Sequence, residues 1–267
     1  MIKRVGGSPE AAMNNNFKLD SNLILKEAWD LTRKNFLTML GAVVIMLLIS
    51  MIVDSSLQDY FGVVIEMGAN GEPIINVPGG YIASFMVFWF VVMAPLQAAL
   101  TKMGIRNATA EEAEDPTPYK NKPWMVFNYS KTPWKVSFVE FGRLFLPMFT
   151  VGFLAAFGLG LIGLLVGLFL AITLQLSTAL VVQDGLSTFK AFKVSVQVIT
   201  KKFFPFLTIG FVMFVLFILG FITFGIGLLW VIPMHYNLIG VLYKHIFGVE
   251  VEVNSDDEPL DIDVSEV

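Results

Sequence analysis

Residues 144–182 form a run of 39 positions without Asp, Glu, Lys, Arg or His, and residues 203–243 form a second, of 41, interrupted only by His235. At about 1.5 Å per residue, a single helix of the first run would be ~58 Å long, against a bilayer hydrocarbon core of ~30 Å. Each run therefore has to cross twice. Glycine marks the reversals, with Gly158, Gly160 and Gly163 in the first run and Gly220, Gly225 and Gly227 in the second, because a residue without Cβ accepts the turn that a branched one resists. Residues 35–53 and 81–100 are shorter uncharged stretches, each the length of one crossing. The expected fold class is an all-α membrane protein of six transmembrane helices in three hairpins. The spans fall near 36–53, 81–100, 144–158, 163–182, 203–222 and 228–247. A composition 55% hydrophobic, with a mean hydropathy of +0.70, excludes an ordinary soluble domain.

Charge then orients the chain. All eighteen Lys and Arg residues fall in the stretches that share one side: 1–35, 101–143, 183–202 and the end after residue 243. The opposite side, made of the loop 54–80 and the two glycine turns, carries none. Basic residues near span ends stay cytoplasmic, so both termini are expected inside a bacterial cytoplasmic membrane. The external loop holds Asp54, Asp59, Glu66 and Glu72, while the C-terminal segment from Glu250 holds eight acids. The formal net charge of −4 thus conceals a basic collar on the cytoplasmic side. Anionic lipid headgroups attract such a collar at about 1 kcal/mol per residue; nucleic acid is excluded as a partner because the charge is dispersed along span ends.

Two segments carry the pattern of helices lying in the interface. Residues 22–34 put Ile24, Ala28 and Leu31 on one face and Lys26, Asp30 and Arg33 on the other. Residues 187–202 oppose Phe189, Phe192, Val196 and Ile199 to Lys190, Lys193, Gln197 and Lys201. Ser187 has the composition of an N-cap. Both segments end in a dibasic pair that runs straight into a span, Arg33-Lys34 and Lys201-Lys202, and Arg143 precedes a third. The chain therefore divides into a polar N-terminal tail (1–20), a six-helix domain (21–248) with external loop 54–80 and cytoplasmic loop 101–143, and an acidic, disordered tail (249–267). Residues 1–20 lack the apolar core of a secretory signal. Within the external loop, alternation over 63–67 and 73–77 around Gly68-Ala69-Asn70-Gly71 predicts a small hairpin.

Asp184-Gly185-Leu186-Ser187, Ala191, Ser195 and Lys201-Lys202-Phe203 resemble a segment of a broad group of poorly characterised bacterial six-helix membrane proteins. In that group a glycine-rich turn, a proline in the last span and a Tyr-x-x-x-Phe-Gly ending follow; here Gly225 and Gly227, Pro233, and Tyr243 with Phe247-Gly248 stand there. Pro95-Leu96, Met103-Gly104 and Val126-Phe127-Asn128-Tyr129 are similar to its middle section. Some members resemble the membrane-anchor domain of glycerophosphodiester phosphodiesterases. The resemblance implies a fold and a compartment, and no catalytic residue.

Polar groups in hydrocarbon are costly and mark candidate sites. Here they are Gln97, Gln175, His235 and Asn237, of which His235 is the one able to titrate near neutral pH. Packing between helices is the commoner use of such groups, and the spans carry no acid or base pair of the kind an ion-coupled pump uses. No zinc-protease, phosphate-loop or serine-hydrolase motif occurs, and there is no Cys. No enzyme activity, cofactor, catalytic residue or metal site is expected. The expected partners are the lipid bilayer, with its anionic lipids, and a second copy or another membrane protein; Gly163-x-x-x-Gly167 allows close helix approach that could support a dimer but, beside a turn, more often packs one hairpin. The function expected is that of a non-enzymatic envelope scaffold or accessory component; the alternative is a small-solute or lipid transporter with a path lined by the polar residues of spans four and six.

Overall fold

The computed structural model describes residues 2–67, 73–128 and 133–252. The chain opens with strand β1 (Ile2–Val5) and a short helix α1 (Pro9–Met13), followed by α2 (Ser21–Phe61). The Asp20 carboxylate caps α2, accepting the amides of Asn22 and Leu23 at 2.9 and 3.2 Å. Strands β2 (Val64–Met67) and β3 (Pro73–Asn76) pair antiparallel, in nearly the positions the alternation predicts. Then come α3 (Gly79–Phe88), one π-helical turn (Trp89–Met93) and α4 (Ala94–Ala110). The wide turn has a cause in the sequence: Pro95 lacks an N–H and cannot continue the ladder to the preceding turn. Two 3-10 turns, Thr117–Tyr119 and Pro123–Phe127, precede α5 (Pro133–Ala156). The rest is α6 (Gly160–Thr173), α7 (Ser177–Asp184), α8 (Thr188–Lys201), α9 (Phe203–Ile222), α10 (Leu228–Phe247) and β4 (Val249–Glu252).

Among the described residues, five stretches are long and apolar enough to cross a membrane: Ser21–Phe61, Gly79–Ala110, Trp134–Ala156, Gly160–Asp184 and Phe203–Ile222. This is a multi-pass membrane protein. The expected sixth span coincides with α10, a 20-residue helix that is not among the five. His235, Asn237 and Lys244 dilute its hydropathy.

Several boundaries differ from those the sequence suggests, each for a local reason. The expected interfacial segment 22–34 and the first span form one helix, kinked at Asn35 (φ −111°, ψ 16°). There the Asn35 amide donates to the Leu31 carbonyl at 3.1 Å, holding the bent turn together. At the second dibasic pair the same transition breaks outright, with Lys202 (φ −130°, ψ 41°) separating α8 from α9. Span four is interrupted between α6 and α7. The loop 101–143 is helical at both ends, since α4 runs to Ala110 and α5 begins at Pro133. Pro147 therefore lies well inside α5, as Pro233 lies inside α10.

Residues 2–20 make contacts with the rest of the molecule. β1 pairs antiparallel with β4, Ile2 opposite Glu252 and Val5 opposite Val249, and Arg4 bridges Glu250 at 2.7 Å. Ala12 and Phe17 are buried in the main core. Both ends of the described chain therefore meet on one face of the molecule. The acidic tail beyond Glu252, like the turn between β2 and β3, lies outside the described residues.

At the centre stands α10, packed along α4 and α2 and buried through most of its length. The reversal between α5 and α6 turns at Gly158 (φ 76°), and that between α9 and α10 at Gly225 (φ 83°). Within the first hairpin, a Cβ added at Gly167 would lie 2.5 Å from Val151 Cγ2. The Gly-x-x-x-Gly face is thus packed on α5.

Candidate functional site

Where α4 and α10 cross, their backbones touch. A Cβ on Gly104 would lie 2.0 Å from the Tyr236 carbonyl oxygen, and one on Gly240 2.2 Å from the Gly104 carbonyl oxygen, so only glycine allows this approach. The approach brings Asn237, fully buried, against Asn107 one turn further along α4. Asn107 Nδ2 donates to Asn237 Oδ1 at 2.9 Å, and Asn237 Nδ2 donates to the Thr32 hydroxyl of α2 at 3.1 Å. Thr32 in turn donates to the Ala28 carbonyl at 2.7 Å. From the loop, Asn121 Nδ2 reaches Asn107 Oδ1 at 2.7 Å and the Met103 carbonyl at 2.9 Å. Both ends of the Asn237 amide are used, in a chain of hydrogen bonds that ties α2, α4, α10 and the loop together.

Two turns along α10 lies a charged cluster. Lys244, its side chain 6% exposed, forms ion pairs with Glu27 of α2 and with Glu112, the latter at 2.6 Å. His245 Nε2 lies 2.6 Å from the second Glu27 oxygen. Glu27 belongs to the segment before the Asn35 kink, outside the uncharged run 35–53. Burial pushes its carboxyl up, but the hydrogen bonds from His245 and Lys244 outweigh this and hold it below the ordinary value of 4.5. Beside the cluster, Tyr243 donates its hydroxyl to Asp184 at 2.6 Å, and Lys102 reaches Gln183.

A third polar group joins α5 to α7. Glu140, 1% exposed, accepts from the Thr178 hydroxyl at 2.7 Å and pairs with Arg143 at 2.6 Å. An acid and a base pair therefore do lie in a helix long enough to span, contrary to the expectation that the spans hold none. Both were read as loop residues because the charge-free run starts only at Leu144. Their i, i+3 spacing was the signal.

The four residues singled out from sequence are dispersed. His235 and Asn237 are two apart on α10, hence on different sides of the helix. Asn237 faces α4 and α2, while the half-buried His235 ring lies 6.2 Å from that of Phe217 on α9 and 5.5 Å from that of Tyr236. Gln175 sits in the break between α6 and α7, its Nε2 buried without a partner among the described residues. Gln97 is half-buried on α4. Among the described residues, no hydrogen bond links any two of the four. Asn107, Asn121 and Thr32, which complete the network around Asn237, carry no signal in the sequence because polar residues are ordinary in loops and interfacial segments.

Within the described residues no group of three or more His, Asp or Glu could hold a metal ion. No family model, curated protein or solved structure matches the chain. The likeness to the bacterial six-helix group therefore stands on its motifs alone.

Proposed function

We propose that the protein crosses the bacterial cytoplasmic membrane six times, with α10 as the sixth span and both termini in the cytoplasm, and serves as a non-enzymatic scaffold or accessory component of the envelope. The observation that carries this reading is the closed polar network of α10. Asn237, the most deeply buried of the candidate path residues, is bonded at both ends of its amide to Asn107 and Thr32, leaving no group of it to meet a solute. Lys244 is likewise neutralised by Glu27 and Glu112. The meeting of β1 with β4 supports placing the two termini together, and the lysines and arginines of the flanking segments support the inner side. Likeness to the six-helix group agrees with this placement.

The unpartnered Gln175 Nε2 favours the second reading, a transporter, because a buried donor without an acceptor costs about 1–3 kcal/mol and is retained where a ligand can satisfy it. Liposomes decide between the two. Reconstituted protein should leave the uptake of small sugars, polyols and amino acids at the rate of protein-free liposomes. Faster uptake of any of them, abolished by Gln175→Leu or His235→Phe, would establish the transporter. Orientation is tested by single cysteines in this cysteine-free chain: impermeant thiol reagent outside cells should label Asp59→Cys and spare Lys193→Cys.

A further inference from the structure

Between α5 and α8 lies an open groove of about 720 Å³. Its walls are apolar: Phe138, Phe141 and Leu146 line it from α5, and Phe192 from α8. The Phe192 ring is seated on Gly142, where an added Cβ would lie 2.5 Å from Cζ, so glycine is what keeps the ring at the floor of the groove. At one end the character changes. Lys135 and Thr188 form the mouth, joined by a hydrogen bond from the Thr188 hydroxyl to the Lys135 carbonyl at 3.3 Å. Trp134 and Phe189 stand exposed at the rim, the position that amphipathic and aromatic side chains take at a headgroup boundary.

Three features set what fits. No carboxylate lines the groove, and Lys135 has no ion-pair partner among the described residues. Glu140, the acid of this part of α5, is buried and already paired with Arg143. Second, Ser187 holds the N-cap position of α8, yet its side chain makes no capping bond. That leaves the first amides of a 14-residue helix, with its positive dipole end, open beside Lys135. Third, from Lys135 to Leu146 the groove runs eleven residues, ~16 Å along α5, or about half of a ~30 Å hydrocarbon core. It is a slot one leaflet deep, with its positive charge at the surface end.

We propose that this groove seats one anionic phospholipid, its phosphate at Lys135 and the start of α8, and an acyl chain along Phe138, Phe141 and Leu146. The site rests on the membrane reading above, and narrows its partner from anionic lipid in general to one molecule at one place. Hydrocarbon fills any groove in a bilayer; here the headgroup charge selects which lipid stays.

The test uses the full-length protein in detergent, incubated with equal amounts of phosphatidylglycerol and phosphatidylcholine of matched chains and weighed by native mass spectrometry. The wild type should retain one phosphatidylglycerol per chain, at least tenfold over phosphatidylcholine. Lys135→Glu should bring the ratio to parity and Lys135→Arg should restore it. Lys193→Glu, on α8 but outside the groove, should leave it unchanged. Gly142→Val, which drives Phe192 into the slot, should lose both lipids. Equal retention of the two lipids by the wild type, or equal loss of selectivity in Lys193→Glu and Lys135→Glu, would overturn the proposal. Because the measurement is made in detergent, it does not depend on orientation: labelling of Lys193→Cys from outside cells would refute the topology and leave the lipid result standing.

Discussion

Helices α9 and α10 are both 20 residues long and adjacent in sequence, yet they occupy opposite environments. Of α9, only Phe206, Ile209, Met213 and Gly220 are buried, and Phe211, Phe214 and Phe221 point outward. α10 is the more polar of the two and is buried from Met234 almost continuously to Phe247. In water the order would be reversed. Lipid removes the reward for hiding apolar side chains, since acyl chains are as apolar as leucine. What then draws helices together is close backbone approach and satisfied polar groups, and α10 has both: Gly240 against Gly104, and Asn237 and Lys244 with their partners.

That contrast can be broken by substitution. Lys244→Met should have the largest effect, because it leaves Glu27 and Glu112 facing each other without their shared cation. Breaking such a pair costs about 3–5 kcal/mol, and the partial exposure of both carboxylates places the loss toward the lower end. Thermal unfolding in detergent would show it, and a midpoint unchanged from wild type would remove the cluster from the account of stability.

Next comes a glycine pair. Gly104→Ala forces a methyl against backbone that cannot yield and should cost about 1–3 kcal/mol. Gly210→Ala in α9 meets nothing within 4 Å and should be neutral or stabilising, by up to about 1 kcal/mol from helix propensity. Equal effects at the two sites would erase the distinction between central and peripheral helices. Asn237→Ala should follow at about 1–2 kcal/mol, the cost of leaving buried partners unmet. Phe211→Ala, on the outward side of α9, should stay within about 0.5 kcal/mol.

The smallest and most selective probe is pH. Glu27 has its folded value held below 4.5, so its contribution is complete above that value and fades as pH falls through the lowered one. The stability difference between wild type and Glu27→Gln should therefore shrink as pH falls below 4.5. A difference that grows on acidification would mean that Glu27 is not held as an anion.

The placement of elements was legible because a bilayer punishes charge. Uncharged runs located the apolar helices, alternation located β2 and β3, and the helical pattern of 187–202 located α8. Where helices begin and end was less legible. α5 extends eleven residues before its charge-free run because Glu140 and Arg143 neutralise each other and can be carried inside. A sequence read by charge alone stops at Arg143. The site was hidden for a related reason. Asn107, Thr32 and Glu112 look like solvent-facing residues until a partner lies opposite them, and that partner comes from the far end of the chain.

The sequence alone determined that this is a membrane protein, roughly which residues form its apolar helices, and where its basic collar falls, since each follows from the cost of placing one side chain in hydrocarbon. Only the tertiary structure decided that α10, more polar than its neighbour α9, is the axis of the bundle, that the N-terminal strand closes on β4, and that the groove between α5 and α8 ends at a lysine with no ion-pair partner among the described residues. Those depend on which surfaces meet. In a solvent that rewards no apolar contact, that choice is made by glycines that permit approach and by polar groups whose partners lie more than a hundred residues away.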